Sequence, residues 1–193
     1  GEGYPLNTFL IAEDVPANWD NWDIDDDVFL KLRPVTAMQS RNVVSDGAVE
    51  YRIRTVYAVG KDSTATVDTV FYAANRRIDY QVKLDWHERH ALLKAGFDVA
   101  IRSAFVKNEI QFGYMDRPTT RNNTIEEGKF EVCNHKWSDL SEIHYGVAIL
   151  NDCKYGMSAD GSNLCLTLHK GGCRPDPFPD MGIQEMTYAL LPH

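Results

Sequence analysis

Hydrophobic and polar residues alternate along much of the chain, most clearly in residues 77–86. Apolar or aromatic side chains occupy every second position from Ile78 to Trp86, and charged or polar side chains lie between them. Successive side chains of a β-strand point to opposite faces. The pattern therefore predicts a strand with one buried and one solvated face.

Other segments carry the same signal in weaker form. Residues 50–59 and 65–73 are rich in β-branched and aromatic side chains and flank Gly60-Lys61-Asp62-Ser63, which predicts a hairpin. Further strands are predicted at residues 97–105, 108–114, 128–133, 145–150, 163–169 and 184–191. Residues 34–41 fit a strand or a short helix, residues 86–95 fit a short helix that Gly96 ends, and residues 14–27, 115–127 and 171–183 fit loops. About nine strands joined by short turns predict an all-β fold of packed antiparallel sheets.

Composition and charge narrow the function classes. A chain of 193 residues suits one large β domain, or at most two small ones. The formal charge of −8 argues against a nucleic-acid partner and against an anionic membrane surface. No apolar run approaches the roughly 20 residues of a membrane span, and no signal peptide is visible. Four cysteines without a C-x-x-C pair (Cys133, Cys153, Cys165 and Cys173) predict free thiols in a reducing compartment.

The densest group of potential metal ligands is Asp85, His87, Glu88 and His90. Its His-Glu-x-His spacing differs from the His-Glu-x-x-His of zinc proteases, which places both histidines on one helical face. We expect a charged, exposed junction between strand and turn, with a metal site as the alternative.

Two tryptophans, Trp19 and Trp22, lie among aspartates near the N-terminus. Aromatic faces beside acids can stack on sugar rings, and aromatic side chains also fill cores and domain interfaces. The sequence favours core packing or a domain interface for this pair and leaves sugar contact as the alternative.

Five motifs follow one another over nearly the whole chain. They are residues 16–25 (PANWDNWDID), 85–90 (DWHERH), 135–142 (HKWSDLSE), 150–156 (LNDCKYG) and 188–193 (YALLPH). As an ordered set they resemble the C-terminal β region of glycoside hydrolase family 38, the α-mannosidases, in the subgroup with bacterial and cytosolic members.

The resemblance implies a galactose-mutarotase-like antiparallel β super-sandwich, with residues 1–193 as a single C-terminal domain cut at both ends. It implies a parent enzyme that hydrolyses α-mannosides with retention, using zinc and an aspartate nucleophile in its N-terminal catalytic domain. By this comparison the 193 residues hold no catalytic residue, metal or cofactor. The expected partners are that catalytic domain and mannosides, with a homo-oligomer left open, and the expected location is cytoplasmic.

The resemblance also suggests where this region could line the substrate pocket. The substrate-contact candidates are Asp152, Lys154, Tyr155, Lys170, Arg117 and Trp22. Lys170 stands where relatives tend to have Arg, and Lys lacks the planar fork of a guanidinium. Asp152 could instead pair with Lys154 or Arg117, and Arg117 could anchor a carboxylate across a domain interface.

Two other functions remain open. The chain could be an independent carbohydrate-binding module that uses Trp19, Trp22 or Trp137. It could also be a self-contained metalloenzyme built on Asp85, His87 and His90.

Overall fold

Residues 5–193, which the computed structural model describes, form two antiparallel β-sheets with two one-turn helices. The strands are β1 (Thr8–Glu13), β2 (Arg33–Pro34), β3 (Met38–Asp46), β4 (Glu50–Val59), β5 (Ser63–Tyr72), β6 (Ile78–Trp86), β7 (Ala91–Asp98), β8 (Phe105–Ile110), β9 (Gly113–Pro118), β10 (Val132–Cys133), β11 (Trp137–Ser141), β12 (Gly146–Asn151), β13 (Gly156–Asp160), β14 (Asn163–Gly171) and β15 (Gly182–Pro192), and the helices are α1 (Val28–Lys31) and α2 (Thr124–Glu127). One sheet has the order β10-β13-β14-β7-β1-β2, and the other has the order β3-β4-β5-β6-β15-β12-β11-β8-β9. The predicted all-β sandwich is confirmed.

The main core lies between the two sheets. Strand β6 contributes Tyr80, Leu84 and Trp86 from the nine-stranded sheet, and β7 contributes Leu93 and Phe97 from the six-stranded sheet. The strand predicted at residues 77–86 is confirmed, with its alternate side chains buried. One expectation on its polar face is wrong. Asp79 is buried because Tyr72 Oη and the Arg77 guanidinium donate to its carboxylate.

The short helix predicted at residues 86–95 is wrong. Strand β7 occupies most of that range, and each of its residues from Ala91 to Phe97 is buried, Gly96 among them. The strand is central in the six-stranded sheet, so both of its faces are covered. A short apolar run of this kind cannot be assigned to helix or strand by periodicity alone.

Some of the remaining strand predictions coincide with observed strands, and others do not. Residues 50–59, 65–73, 145–150, 163–169 and 184–191 coincide with β4, β5, β12, β14 and β15. Residues 34–41 hold the end of β2 and the start of β3, and residues 108–114 span the turn between β8 and β9. Residues 99–103 lie outside the sheets, only Val132 and Cys133 of 128–133 are paired, and β9 enters the loop predicted at 115–127.

A second, small apolar cluster covers the outer face of the six-stranded sheet. Val28 of α1 packs there with Ala12 and Leu92, and Ile24 and Leu32 close over them. Ile24, Val28 and Leu32 belong to the segment 14–32, which thus forms a layer over β1 and β7. Within residues 5–193, no helix has the length and hydropathy to cross a membrane.

Candidate functional site

Two adjoining cavities lie where the 14–32 segment and the loops after β12 and β14 meet the six-stranded sheet. Their volumes are about 530 and 350 Å³, and Tyr155, Gly156, Thr167 and Lys170 line both. We call the pair the Lys170 groove. The other lining residues are Asn21, Cys153, Lys154, Leu168, His169, Gly172, Pro179 and Asp180 in the larger cavity, and Trp22, Asp23, Ile24, Leu92, Phe130, Glu131, Val132 and Cys133 in the smaller one.

Strand β14 places its groove residues by alternation and by one irregularity. Thr167 pairs with Lys94, and after a register shift between Thr167 and His169, Lys170 pairs with Leu92. A β-bulge re-aims the side chains that follow it. Thr167 and Lys170 consequently line the groove, while Leu166 and Leu168 belong to the core between the sheets.

The Lys170 ammonium lies in the groove and forms an ion pair with a buried carboxylate. The ammonium donates to Asp14, which follows β1 and is almost completely buried. Burial raises the pKa of the Asp14 carboxyl, and the contact with Lys170 acts in the opposite direction. Lys170 is therefore held by the protein itself, and the sequence reasoning missed Asp14 as its partner.

Two aromatic side chains stand exposed at the groove. Trp22 is 70% exposed and makes an edge contact with Trp19 at 6.3 Å, and Tyr155 is 54% exposed. The expectation that Trp19 and Trp22 fill the core of this chain is wrong, because the 16–25 motif forms a surface loop. Open aromatic faces beside polar groups can stack on sugar rings or pack against another domain.

His169 lies at the inner wall of the larger cavity. It is 6% exposed, its ring packs on Trp86 at 4.9 Å, and its Nε2 has no hydrogen-bond partner among the described residues. Burial, assisted by the nearby Lys154 charge and opposed by Asp180, lowers the pKa of His169 to about 4. His169 is therefore a neutral imidazole at neutral pH, and a lone histidine in a leucine-rich strand gave no signal of this.

A buried ion pair supports the smaller cavity. Lys94 is completely buried, and its Nζ donates to Glu131 at 2.6 Å and to Thr167 Oγ1 at 2.7 Å. The same ammonium lies 5.4 Å from the Phe29 ring. A buried charge requires such compensation. Glu131 is consequently engaged and is not a free acid for catalysis.

Two of the six substrate-contact candidates lie outside the groove. The Asp152 carboxylate accepts from Thr187 N at 3.0 Å, which ties the end of β12 to β15, and the Arg117 guanidinium donates to the Cys133 carbonyl at 2.5 Å. Among residues 5–193, Asp152 forms no ion pair with Lys154 or Arg117, and the contact of Arg117 is with a backbone carbonyl. Burial lowers the pKa of Arg117. The structure brings together Trp22, Lys154, Tyr155 and Lys170.

The ligand-type cluster at residues 85–90 is dispersed. His87 pairs with Asp85 at 2.8 Å on the surface, while Glu88 accepts from the backbone N–H groups of Lys61 and Asp62 at 2.8 and 2.7 Å. His90 turns away from all three. A shared metal at these four residues is therefore wrong, and the exposed charged junction describes the first three of them.

The groove presents several kinds of contact group. It combines exposed aromatic faces, hydroxyl groups and a compensated lysine, a combination suited to polyhydroxylated ligands. Two carboxylates, Glu131 in the lining and Asp14 behind Lys170, are both paired with lysines. The Thr167 hydroxyl donates to the Glu131 carboxylate, and Glu131 also accepts from Lys94, so this hydroxyl belongs to the buried ion-pair network.

Comparison with known proteins covers almost the whole chain. The family model for the glycosyl hydrolases family 38 C-terminal domain matches residues 3–178. Alpha-mannosidase 2C1 of Homo sapiens is 37% identical over 193 residues, which is 100% of this chain and 19% of the relative. Alpha-mannosidase of Saccharomyces cerevisiae is 36% identical over 200 residues, covering 97% of this chain and 18% of the relative. The chain spans about a fifth of the length of the curated relatives it matches.

Solved structures agree on the fold. The crystal structure of an alpha-mannosidase from Enterococcus faecalis superposes with a TM-score of 0.81 at 11% identity, over 97% of this chain and 26% of that one. A protein in the glycosyl hydrolase family 38 from the same organism superposes with a TM-score of 0.73 at 12% identity, again over 97% of this chain and 26% of the other. At this identity the likeness shows the fold alone.

Proposed function

Because the chain belongs to the glycosyl hydrolase family 38 C-terminal domain, we propose that it acts as the non-catalytic C-terminal β domain of an α-mannosidase. In this role it supports the catalytic domain and contributes a wall of the substrate pocket. The observation that carries the proposal is the Lys170 groove, where exposed Trp22 and Tyr155 flank a lysine whose charge is already compensated. The surface is fit for contact.

The parent reaction follows from the resemblance. We propose retaining hydrolysis of α-mannosides, with the zinc ion and the aspartate nucleophile supplied by the N-terminal catalytic part of the enzyme. The zinc would contact sugar hydroxyl groups there. The residues of this chain would orient the substrate and exclude water from one side. A cytoplasmic location is part of the same proposal and agrees with four free thiols.

Lys170 and Tyr155 have separate roles in this proposal. The Asp14 contact fixes the Lys170 ammonium at the floor of the groove, so that a donor is available to a sugar hydroxyl without a large side-chain rearrangement. Tyr155 presents its ring at the rim, where it is held by an edge contact with His135 at 5.5 Å. An aromatic contact of this kind contributes about 1 kcal/mol.

Activity measurements test the division of labour. We expect the purified chain to show no turnover of an aryl α-mannoside, and the whole enzyme to lose about fivefold to tenfold in kcat/KM on Tyr155→Ala. Tyr114→Ala is a matched control, because Tyr114 is also 54% exposed but lies on β9 away from the groove. Turnover by the chain alone, or equal effects of the two substitutions, would contradict the proposal.

An independent carbohydrate-binding module is the second candidate. It is favoured by the exposed pair Trp19 and Trp22, at 69% and 70%. Calorimetric titration of the chain with mannose oligosaccharides distinguishes the two functions. Binding that Trp22→Ala abolishes supports a module, and no binding in the absence of the catalytic domain supports the wall.

A further inference from the structure

Three side chains with metal-binding atoms converge beside the Lys170 groove. They are the carboxylate of Asp20, the imidazole of His90 and the thiol of Cys173, and one ligand atom of each lies within 4.8 Å of the others. Asp20 comes from the 14–32 segment, His90 from the turn between β6 and β7, and Cys173 from the loop after β14. The cluster therefore joins three segments that are far apart in sequence.

Two of the three ligand atoms lack a hydrogen-bond partner. His90 Nδ1 and Asp20 Oδ1 are both buried and face each other at 3.5 Å, and neither forms a hydrogen bond with any described residue. Buried polar atoms in proteins are almost always hydrogen-bonded, so two such atoms that face each other without a hydrogen bond call for an explanation. A shared cation between them satisfies both atoms at once.

The backbone around the cluster holds these side chains in place. Cys173 N donates to Asp20 Oδ2 at 2.9 Å, which leaves Oδ1 free for another contact. His90 has a φ of 49°, a left-handed conformation that its backbone bonds to Gly171 and Asp14 maintain. Strained residues of this kind concentrate at functional sites.

A close approach of two loops completes the arrangement. A Cβ atom on Gly172 would lie 2.3 Å from Asn21 Oδ1 and 3.0 Å from the Asp20 carbonyl oxygen, so only glycine permits this packing. Asn21 N also donates to the Arg174 carbonyl at 3.1 Å. The Asp20 and Cys173 loops are thus fastened side by side before any ligand is added.

We propose that Asp20, His90 and Cys173 form a binding site for a divalent metal ion of the zinc class, with water as the fourth ligand. Thiolate and imidazole select Zn²⁺ and similar ions over Mg²⁺ or Ca²⁺, which prefer oxygen ligands. A carboxylate and water complete a four-coordinate set. Arg89 Nε lies 3.3 Å from Cys173 Sγ and supplies a hydrogen bond to the sulfur, as outer partners of metal ligands commonly do.

The metal would fix one wall of the Lys170 groove. Asn21 and Gly172, which line the larger cavity, are the chain neighbours of Asp20 and Cys173. A bound ion would cross-link the 14–32 segment to the loop after β14 and hold that wall without disulfides. The site stands on its own observations and does not depend on the role proposed for the groove.

Titration of the purified chain with Co²⁺ tests the site. We expect one saturable equivalent, a near-ultraviolet thiolate-to-cobalt charge-transfer band, and displacement of that band by Zn²⁺. Cys173→Ser should abolish the band, and Asp20→Asn should weaken binding about tenfold or more. The asparagine keeps an acceptor for Cys173 N–H, so Asp20→Asn tests the carboxylate ligand with the loop contact retained.

Matched controls decide between outcomes. Cys133→Ser and Cys153→Ser replace the two exposed thiols and should leave the band and the affinity unchanged. If Cys173→Ser fails to fold, Asp20→Asn and His90→Gln carry the test through their loss of affinity. No saturable binding, or full affinity in Asp20→Asn or Cys173→Ser, would overturn the proposal in favour of a direct contact between His90 and Asp20 without a metal.

Discussion

His169 links the core to the groove through its protonation state. Its imidazole packs on Trp86 inside the sandwich and lines the larger cavity with its unpaired Nε2. Because burial disfavours the imidazolium, the ring stays neutral at neutral pH and presents either a donor or an acceptor to the cavity. The protonation state of His169 therefore affects both the stability of the fold and the polarity of the groove.

The free energy of unfolding should fall as the pH is lowered, because His169 is neutral in the folded chain. The pKa of His169 is about 4 in the folded state and 6.5 in the reference state, so the unfolded chain takes up the proton first as the pH falls. Its contribution is complete above pH 6.5 and is lost between pH 6.5 and 4, a change of about 3 kcal/mol. We expect His169→Phe to remove this part of the pH dependence of the free energy of unfolding.

Urea unfolding at neutral pH and at about pH 4.5 measures the effect. His144→Asn is the control, since His144 is exposed and its replacement should leave the wild-type pH dependence intact. An unchanged pH dependence in His169→Phe would show that the imidazole is not held neutral by burial.

At the scale of elements, the ion pair of Lys94 and Glu131 joins β7 to the segment before β10 and to β14 through Thr167. The Lys94 ammonium has no access to solvent, so removal of the Glu131 charge leaves a buried ammonium without a counter-charge. Breaking a buried pair from one side costs about 3–5 kcal/mol, whereas an apolar replacement of both partners is often neutral. We expect Glu131→Gln to destabilise the chain by about 3 kcal/mol and the double variant Lys94→Met, Glu131→Met to destabilise it less.

Chemical denaturation of the single and double variants tests this expectation. The exposed pair of Lys107 and Asp116 is the comparison, and Asp116→Asn should leave the free energy of unfolding nearly unchanged. Additive losses in the double variant would mean that the two side chains act independently.

The sequence predicted strands well where one face is wet and the other buried, as in β6. It predicted helix for β7, since both faces of that strand are covered and no alternation is left to read. It predicted a strand at residues 97–105, where Val99 and Ile101 are buried in an irregular segment after β7 ends at Asp98. In each case the positions of the apolar residues follow burial. Their periodicity does not show which backbone groups are paired in a sheet.

The candidate site was predictable in part. Trp22, Tyr155 and Lys170 were chosen from motifs, and the structure brings them to one groove. Asp14 was missed because it lies 156 residues from its partner Lys170, and nothing local signals such a contact. The contact of the Asp152 carboxylate with the backbone of β15 likewise has no local signal in the sequence.

At the scale of the whole molecule, the two sheets share one continuous core. Residues of β1, β7 and β14 from one sheet and of β5, β6, β12 and β15 from the other belong to the same buried cluster. The nine-stranded sheet is the wider layer, and its edge strand β3 exposes most of its side chains.

A shared core predicts that the chain folds as a single domain. Neither sheet can keep its inner face buried once the other unfolds, so the two should unfold together. We expect one urea transition with the same midpoint by far-ultraviolet circular dichroism and by tryptophan fluorescence, in which Trp86 reports the core.

Phe97→Ala should lower that midpoint for both signals, by about 3–5 kcal/mol in the free energy of unfolding, because it opens a cavity between the sheets. Ile143→Ala, at an exposed side chain in the turn between β11 and β12, should leave it unchanged. Separate midpoints for the two signals would mean that the sheets are independent units, and the single-domain interpretation would be wrong.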